Sequence, residues 1–377
     1  VRLSYSNRKD SVTYRGIPNV ENYNYDASVY SSVFTFSQDF ILNFVSALSF
    51  YNPTPVSSVK EFMELENDES GDYRLISDLI LTDFRPFEAK FKSFDGNNYK
   101  IYILSFADTS NESSSGSFGL FTNISSSTMI CNTTVYYTSR VDYDSRIQGY
   151  VPRSTPMTLD ISAYSSVRFG GLSVTNNGVI TNCKVSGAVS IDSTRASSSS
   201  NLMGGLVSSN ASSGFITNSK VIDFNFTASG QIGGFVGKND GMIVSSAFEN
   251  SQILGLSANC DIGGFVYENS GSISESFVQG ARATTDSDIR NTGSGIISRL
   301  GGNIGAFVYA NNATISDCYT NILASTSKNK SGFVYTDSGS SVISRCYSIF
   351  YKASGDNTTA IYPFVGPNGD DIPPRVV

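Results

Sequence analysis

A short phrase recurs through this chain, and the recurrence restricts the fold more than any other feature. "IGGFVGKNDGMIVSSAF" occupies residues 232–248, and "IGGFVYENSGSISESF" begins at Ile262. Related copies start at Phe118, Phe169, Met203, Ile304 and Lys330, with a clipped one at Ile361. Anchored on Leu206, Phe235, Phe265, Phe307, Phe333 and Phe364, the steps are 29, 30, 42, 26 and 31 residues. A period near thirty with variable excess marks a structural coil carrying loop insertions. Each copy has one grammar: small-small-apolar-Val, a turn, an Ile, then a small residue three further on. The apolar positions are β-branched or aromatic, in short runs separated by Gly, Asn, Asp and Ser, which predicts short strands and turns. No 3.6-residue apolar period persists here, so helices are excluded as the main element.

Short strands repeated at this period predict an all-β fold, a right-handed parallel β-helix in which each coil lies about 4.8 Å above the last. One coil cannot bury its apolar side alone, and repetition lets each copy cover its neighbour. Equivalent side chains then stack. Leu172, Leu206, Phe235, Phe265, Phe307, Phe333 and Phe364 are expected to form one internal ladder, and Ile243, Ile273, Ile315 and Ile372 another. Four residues after each anchor come Asn176, Asn210, Asn239, Asn269, Asn311, Asp337 and Asn368. Asn and Asp tolerate left-handed backbone, so these are expected at tight corners, with the Gly-Gly pairs giving the same freedom and room for close packing. Cys183, Cys318 and Cys346 occupy the small position filled elsewhere by Ser219, Ser246 and Ser276, and are expected to be small buried residues. Cys318 and Cys346 fall in adjacent coils, within Cα range of a disulfide, although in-register parallel neighbours seldom orient for one.

The copies "GGFVGKNDGMIVSSA" and "GGLSVTNNGVITNCKV" resemble GLUG-motif repeats of bacterial and protist surface proteins, adhesins and peptidase accessory regions. "SVKEFMEL", "DYRLISDLIL" and "FKSFDGNNYKIYIL" resemble the lead-in of such regions, with Asn98 where glycine is usual. The resemblance covers roughly residues 57–372; it implies a β-helix and a surface location, and brings no catalytic residues. Residues 58–66 predict an amphipathic helix capped by Ser57 or Ser58, with Val59, Phe62, Met63 and Leu65 inward, plugging the first coil against edge-to-edge aggregation. The chain therefore divides into a non-repeat arm or cap over 1–56, the β-helix over 57–372 and a tail over 373–377. The arm packs as an extra cap or inserts into a neighbouring subunit. At the other end "PPRVV" cannot continue a ladder, leaving half a coil for a partner chain or further sequence to cover.

A charge of -7 with no Lys/Arg run argues against a nucleic-acid partner, because phosphate contact needs a basic face. The absence of histidine removes histidine-based acid–base chemistry and most zinc sites. Five scattered cysteines (Cys131, Cys183, Cys260, Cys318 and Cys346) give neither a disulfide framework nor a metal cage. The longest apolar run, "DFILNFVSALSF", is too short to span a membrane, and no leader precedes Val1, so one has been removed or the numbering starts inside a precursor. Asn-x-Ser/Thr acceptors begin at Asn111, Asn123, Asn132, Asn210, Asn225, Asn312, Asn329 and Asn357. With the low charge, these point to a secreted or cell-surface glycoprotein carrying N-glycans.

Acidic residues do not gather. Asp223, Asp240, Glu249, Glu268, Glu275 and Asp317 do not recur at one coil position with matching bases, whereas glycoside hydrolysis needs paired carboxylates on one wall. "ENDESGD" (66–72) has the oxygen ligands calcium prefers but no calcium-loop spacing, and Asp95 reads as a turn residue. No catalytic residue, cofactor or metal is expected. The leading expectation is a structural extracellular glycoprotein that self-assembles, end to end or through its arm, into a homopolymer or with related surface proteins. An adhesin-type module gripping glycans or a host protein is the alternative, and a polysaccharide-degrading enzyme a distant third.

Overall fold

The computed structural model describes residues 4–5, 14–15, 53–110, 114–192, 200–256, 260–280, 295–298, 302–326, 328–352 and 361–366. The chain separates into two units, Val1–Thr54 and Pro55–Val377. In the first, Ser4–Tyr5 pairs antiparallel with Tyr14–Arg15; the rest of the expected arm, and the expected tail over 373–377, lie outside the described residues.

The second unit is a parallel β-helix with four walls. One coil shows the pattern: Gln231–Gly233 in wall I, Val236–Asn239 in wall II, Met242–Val244 in wall III, then Ala247–Glu249 and Gln252–Gly255 in wall IV. Among the described residues walls I and II hold eight strands each, wall III ten and wall IV twelve, the last count including Met157–Asp160 and Tyr347–Lys352. The long step between the copies at Phe118 and Phe169 accommodates an antiparallel hairpin, Val141–Asp144 with Gly149–Pro152. Insertions therefore leave the stacking register intact.

Equivalent residues lie directly above one another. The Phe235 and Phe265 rings stack at 4.7 Å and 3°, Phe265 and Phe307 at 4.9 Å and 7°, Phe307 and Phe333 at 4.8 Å and 6°, and Phe333 and Phe364 at 4.8 Å and 3°. Backbone bonds run alongside: Leu172 N–H to Leu206 O at 2.8 Å, Leu206 to Phe235 at 2.8 Å, Phe235 to Phe265 at 2.8 Å. The rings adopt parallel planes because the strand spacing imposes that separation. The aliphatic column runs Ile130, Ile180, Ile216, Ile243, Ile273, Ile315 and Ile343, with the Phe94 ring at its start. Ile343, set back by two inserted residues, holds the place in the Phe333 coil; Ile372 and Asn368 lie outside the described residues.

Three local expectations are corrected. The Asn176 to Asp337 series is not in left-handed backbone, because each member ends an extended strand of wall II. Its amides form a buried column instead: Asn176 Nδ2 donates to Asn210 Oδ1, Asn210 to Asn239, Asn239 to Asn269 and Asn269 to Asn311, each at 2.8 Å. The left-handed corner falls one residue before the small position, at Asn132, Asn182, Asn218, Ser245, Glu275, Asp317 and Arg345, with φ between 49° and 56°. The Gly-Gly pairs are not left-handed either; a Cβ on Gly233 would strike the Val236 carbonyl, and one on Gly234 the Gly264 carbonyl of the next coil. Close approach alone demands glycine there.

A helix, α1 (Val59–Glu64), sits at the first coil with Ser58 as N-cap; Glu61 completes a capping box, and a 3-10 turn follows over Leu65–Asn67. Phe62 and Leu65 are buried and Met63 packs against the core, but Val59 is exposed, contrary to the inward position expected. Phe62 meets Phe87 at 5.4 Å and 62° and Phe94 at 5.7 Å and 69°. The glycine slot of the lead-in is left-handed here, and Asn98 fills it at φ 64°.

Candidate functional surface

Strand side chains alternate inward and outward, so inner columns have outer counterparts. On wall IV, Phe277, Tyr319 and Tyr347 stack at 4.9 Å and 4°, then 5.1 Å and 3°. The Tyr319 hydroxyl donates to Gln279 Oε1 at 3.1 Å, and Tyr347 is exposed. On wall II, Tyr267, Tyr309 and Tyr335 stack at 4.8 Å and 6°, then 5.2 Å and 21°. Tyr309 donates to Asp261 Oδ2 at 3.0 Å, while Asp261 Oδ1 accepts from the Asn303 backbone N–H at 2.8 Å. Burial, reinforced by the Asp261 charge, pushes the Tyr267 phenol up to about 12 and raises that of Tyr309 further. Both hydroxyls stay protonated and can donate, but only the wall IV column offers a ring to solvent.

Several surface carboxylates are held by nearby cations or hydroxyls, most of them in the neighbouring coil. Glu249 pairs with Lys220 at 3.2 Å, Asp240 and Glu268 share Lys238 at 3.6 Å each, Asp317 meets Arg345 at 2.5 Å, and Glu275 accepts from the Ser245 hydroxyl at 2.7 Å. The Arg345 guanidinium holds the Asp317 carboxyl below its usual range; the Arg146 side chain does so for Asp144, and the Tyr73 hydroxyl for Asp68. A general acid needs the opposite shift. Asp95 is buried and accepts from Arg74 Nε at 3.0 Å, Asn132 Nδ2 at 2.9 Å and the Asn97 N–H at 2.9 Å, which is a turn-fastening role. Among the described residues no three His, Cys, Asp or Glu side chains are grouped to hold a metal ion, and no helix is long and apolar enough to cross a membrane.

The acceptor asparagines scatter over the solenoid. Asn225 and Asn312 are exposed. Asn123, Asn132 and Asn329 are half-buried, with Nδ2 donating to Glu88 Oε1 at 2.8 Å, Asp95 Oδ1 at 2.9 Å and Tyr335 Oη at 3.3 Å. Asn210 is a correction: it is fully buried in the amide column, its Nδ2 given to Asn239, so the folded chain does not present it to a glycan. Asn111 and Asn357 lie outside the described residues. The motif reports three residues and is blind to which wall they land on.

The small position three residues after Ile is buried as expected, and sequence reasoning missed only that its hydroxyls form a hydrogen-bonded column. The Ser219, Ser246 and Ser276 hydroxyls each donate to the carbonyl two residues earlier, at 2.9, 2.9 and 2.8 Å. They also accept the backbone N–H of Cys183 at 3.1 Å, Ser219 at 3.3 Å and Ser246 at 3.2 Å, each one coil below. The recurrence of Ser and Cys three residues after Ile was its signal.

These features define a parallel β-helix whose surface polar groups are largely paired across coils. No family model matches the chain, and no curated protein matches it. Among solved structures it is similar to a Bacteroides ovatus protein named "putative immunoglobulin A1 protease", at 12% identity over 84% of each chain with a TM-score of 0.39. At that level no property passes from one to the other.

Proposed function

We propose that this chain is a structural, extracellular β-solenoid that self-associates through the face of its last described coil. The observation that carries the reading is the exposure of Val342 (54%), Tyr347 (54%), Ile349 (43%) and Ile361 (41%) there. They lie on the last described strands of walls III, IV and I, Val342–Ser344, Tyr347–Lys352 and Ile361–Tyr362. An edge of this kind pairs readily with further strands, and the occupant best matched to its register is a second copy of the chain. The repeat's resemblance to GLUG-motif surface proteins and the exposed acceptors at Asn225 and Asn312 support an extracellular setting with covalent N-glycans. An adhesin role is the second reading, supported by the exposed ring of Tyr347 on an outward aromatic column. No catalytic activity is proposed.

The test is negative-stain microscopy with sedimentation across a concentration series. Wild-type protein is expected to give particles longer than one solenoid, and Val342→Lys with Ile349→Lys is expected to return monomers of unchanged circular dichroism. Monomeric wild-type protein at every concentration overturns the assembly reading, and specific retention on a glycan array would then favour the adhesin.

A further inference from the structure

The thiols of Cys318 and Cys346 occupy the same inner column in the last two adjacent coils. Strand pairing fixes them on either side: Ser316 lies opposite Ser344, and Tyr319 opposite Tyr347 with rings 5.1 Å apart and parallel to 3°. Cys318 therefore sits directly over Cys346, at the strand spacing of roughly 4.8 Å, inside the 4.4–6.8 Å Cα range of disulfides. In-register residues within regular parallel strands usually point their Cβ bonds side by side. These two each follow a left-handed residue, Asp317 at φ 56° and Arg345 at φ 52°, so both emerge from a corner instead. Each Sγ turns to the carbonyl two residues earlier, Cys318 to Ser316 O at 3.1 Å and Cys346 to Ser344 O at 3.2 Å. Both are free in this structure, and Cys346 is only half-buried.

We propose that Cys318 and Cys346 are an oxidisable pair that closes into a disulfide by exchange with a small-molecule disulfide, tying the last two described coils together. Cys346 is the attacking sulfur. It is the more accessible of the two, half-buried where Cys318 is buried, and burial holds the Cys318 thiol's pKa up. Its thiolate attacks one sulfur of the reagent, forming a mixed disulfide and releasing one small thiolate. Cys318 then loses its proton and attacks Cys346 Sγ, expelling the second. Two protein thiols become one disulfide, and the reagent takes up the two electrons and two protons as two thiols. Cys131, Cys183 and Cys260 are buried with no cysteine across the rung, so the pairing is specific.

The repeat supplies its own control, because serine already fills this column at Ser219, Ser246 and Ser276; Cys318→Ser and Cys346→Ser are therefore expected to fold. The experiment incubates folded, fully reduced protein with oxidised glutathione, blocks remaining thiols with iodoacetamide in denaturant and maps peptides without reduction. The expected product is one cross-linked species joining the Cys318 and Cys346 peptides, two hydrogens lighter, with the other three cysteines alkylated. The midpoint of thermal unfolding should rise by about 4 °C or more over the reduced protein, and Cys346→Ser should show neither change. A map that ends at glutathionylated Cys346, shows no reaction, or joins other cysteines overturns the proposal.

Discussion

The two ends of the solenoid are both rich in phenylalanine, yet they pack by different rules. From Phe235 to Phe364 the rings lie parallel within 3° to 7°, one per coil. Around α1, Phe62, Phe87, Phe91, Phe94 and Phe121 meet at steep angles, most of them edge to face, as at 85° between Phe87 and Phe121 and 69° between Phe91 and Phe121, with Phe62 and Phe121 tilted at 43°. Edge-to-face and offset contacts are what free aromatic pairs prefer. The helix end is thus a small globular core whose rings settle by their own electrostatics. In the ladder, strand register dictates the geometry and the rings comply. Where the backbone repeats, position decides; where it does not, side-chain shape decides.

Removing one ring from each end is the largest expected perturbation. Phe62→Ala opens a cavity among four other rings and is expected to cost about 4–5 kcal/mol, whereas Phe265→Ala removes one layer between two surviving neighbours and is expected to cost about 3 kcal/mol. Chemical denaturation of the two variants checks the order; an equal or reversed pair of losses would mean that the cap packs no more cooperatively than the ladder. Next comes Asn239→Ala, which strands the Asn210 amide and the Asn269 oxygen at once, with an expected loss of about 2–3 kcal/mol. Hydrogen exchange should show the damage in the coils above and below and spare the cap.

The smallest effect separates the ends by pH. Glu61 accepts hydrogen bonds from Ser57 and Ser58, which hold its carboxyl below the ordinary value of 4.5, the Ser57 backbone N–H contributing most. Its folded pKa is depressed, so its contribution is present above the unfolded value and lost as pH falls through the folded one. Thermal melts in mild acid should show less pH dependence for Glu61→Gln than for wild type, while melts of Asn239→Ala keep the wild-type dependence.

The repeated half of the fold was readable because each copy restates the same constraint: seven predicted ladder positions from Leu172 to Phe364 lie in one column. The cap was only partly readable. Its helix, cap residue and Phe62 follow from local pattern, but Val59 turns outward because a helix of six residues buries one narrow stripe. The asparagines recur at one coil position, as the repeat implies, but that position is the end of an extended strand and not the corner expected of them. Asn suits both a left-handed corner and a buried amide column, and composition cannot distinguish them. The true corner was hidden because its later members include Ser245, Glu275 and Arg345, residues with little taste for that backbone. On the surface, acceptor motifs could be counted but not placed, as Asn210 shows.

The amide column also has a sense of direction. Every Nδ2 points toward the following coil and every Oδ1 toward the preceding one, so the small dipoles add, with their electropositive tip at Asn311. Asp337 receives that tip, at 3.1 Å, where a carboxylate answers the accumulated polarity better than another amide. A molecule wired this way is a vector, and any train of copies extending it keeps its polarity only when every unit travels the same way round.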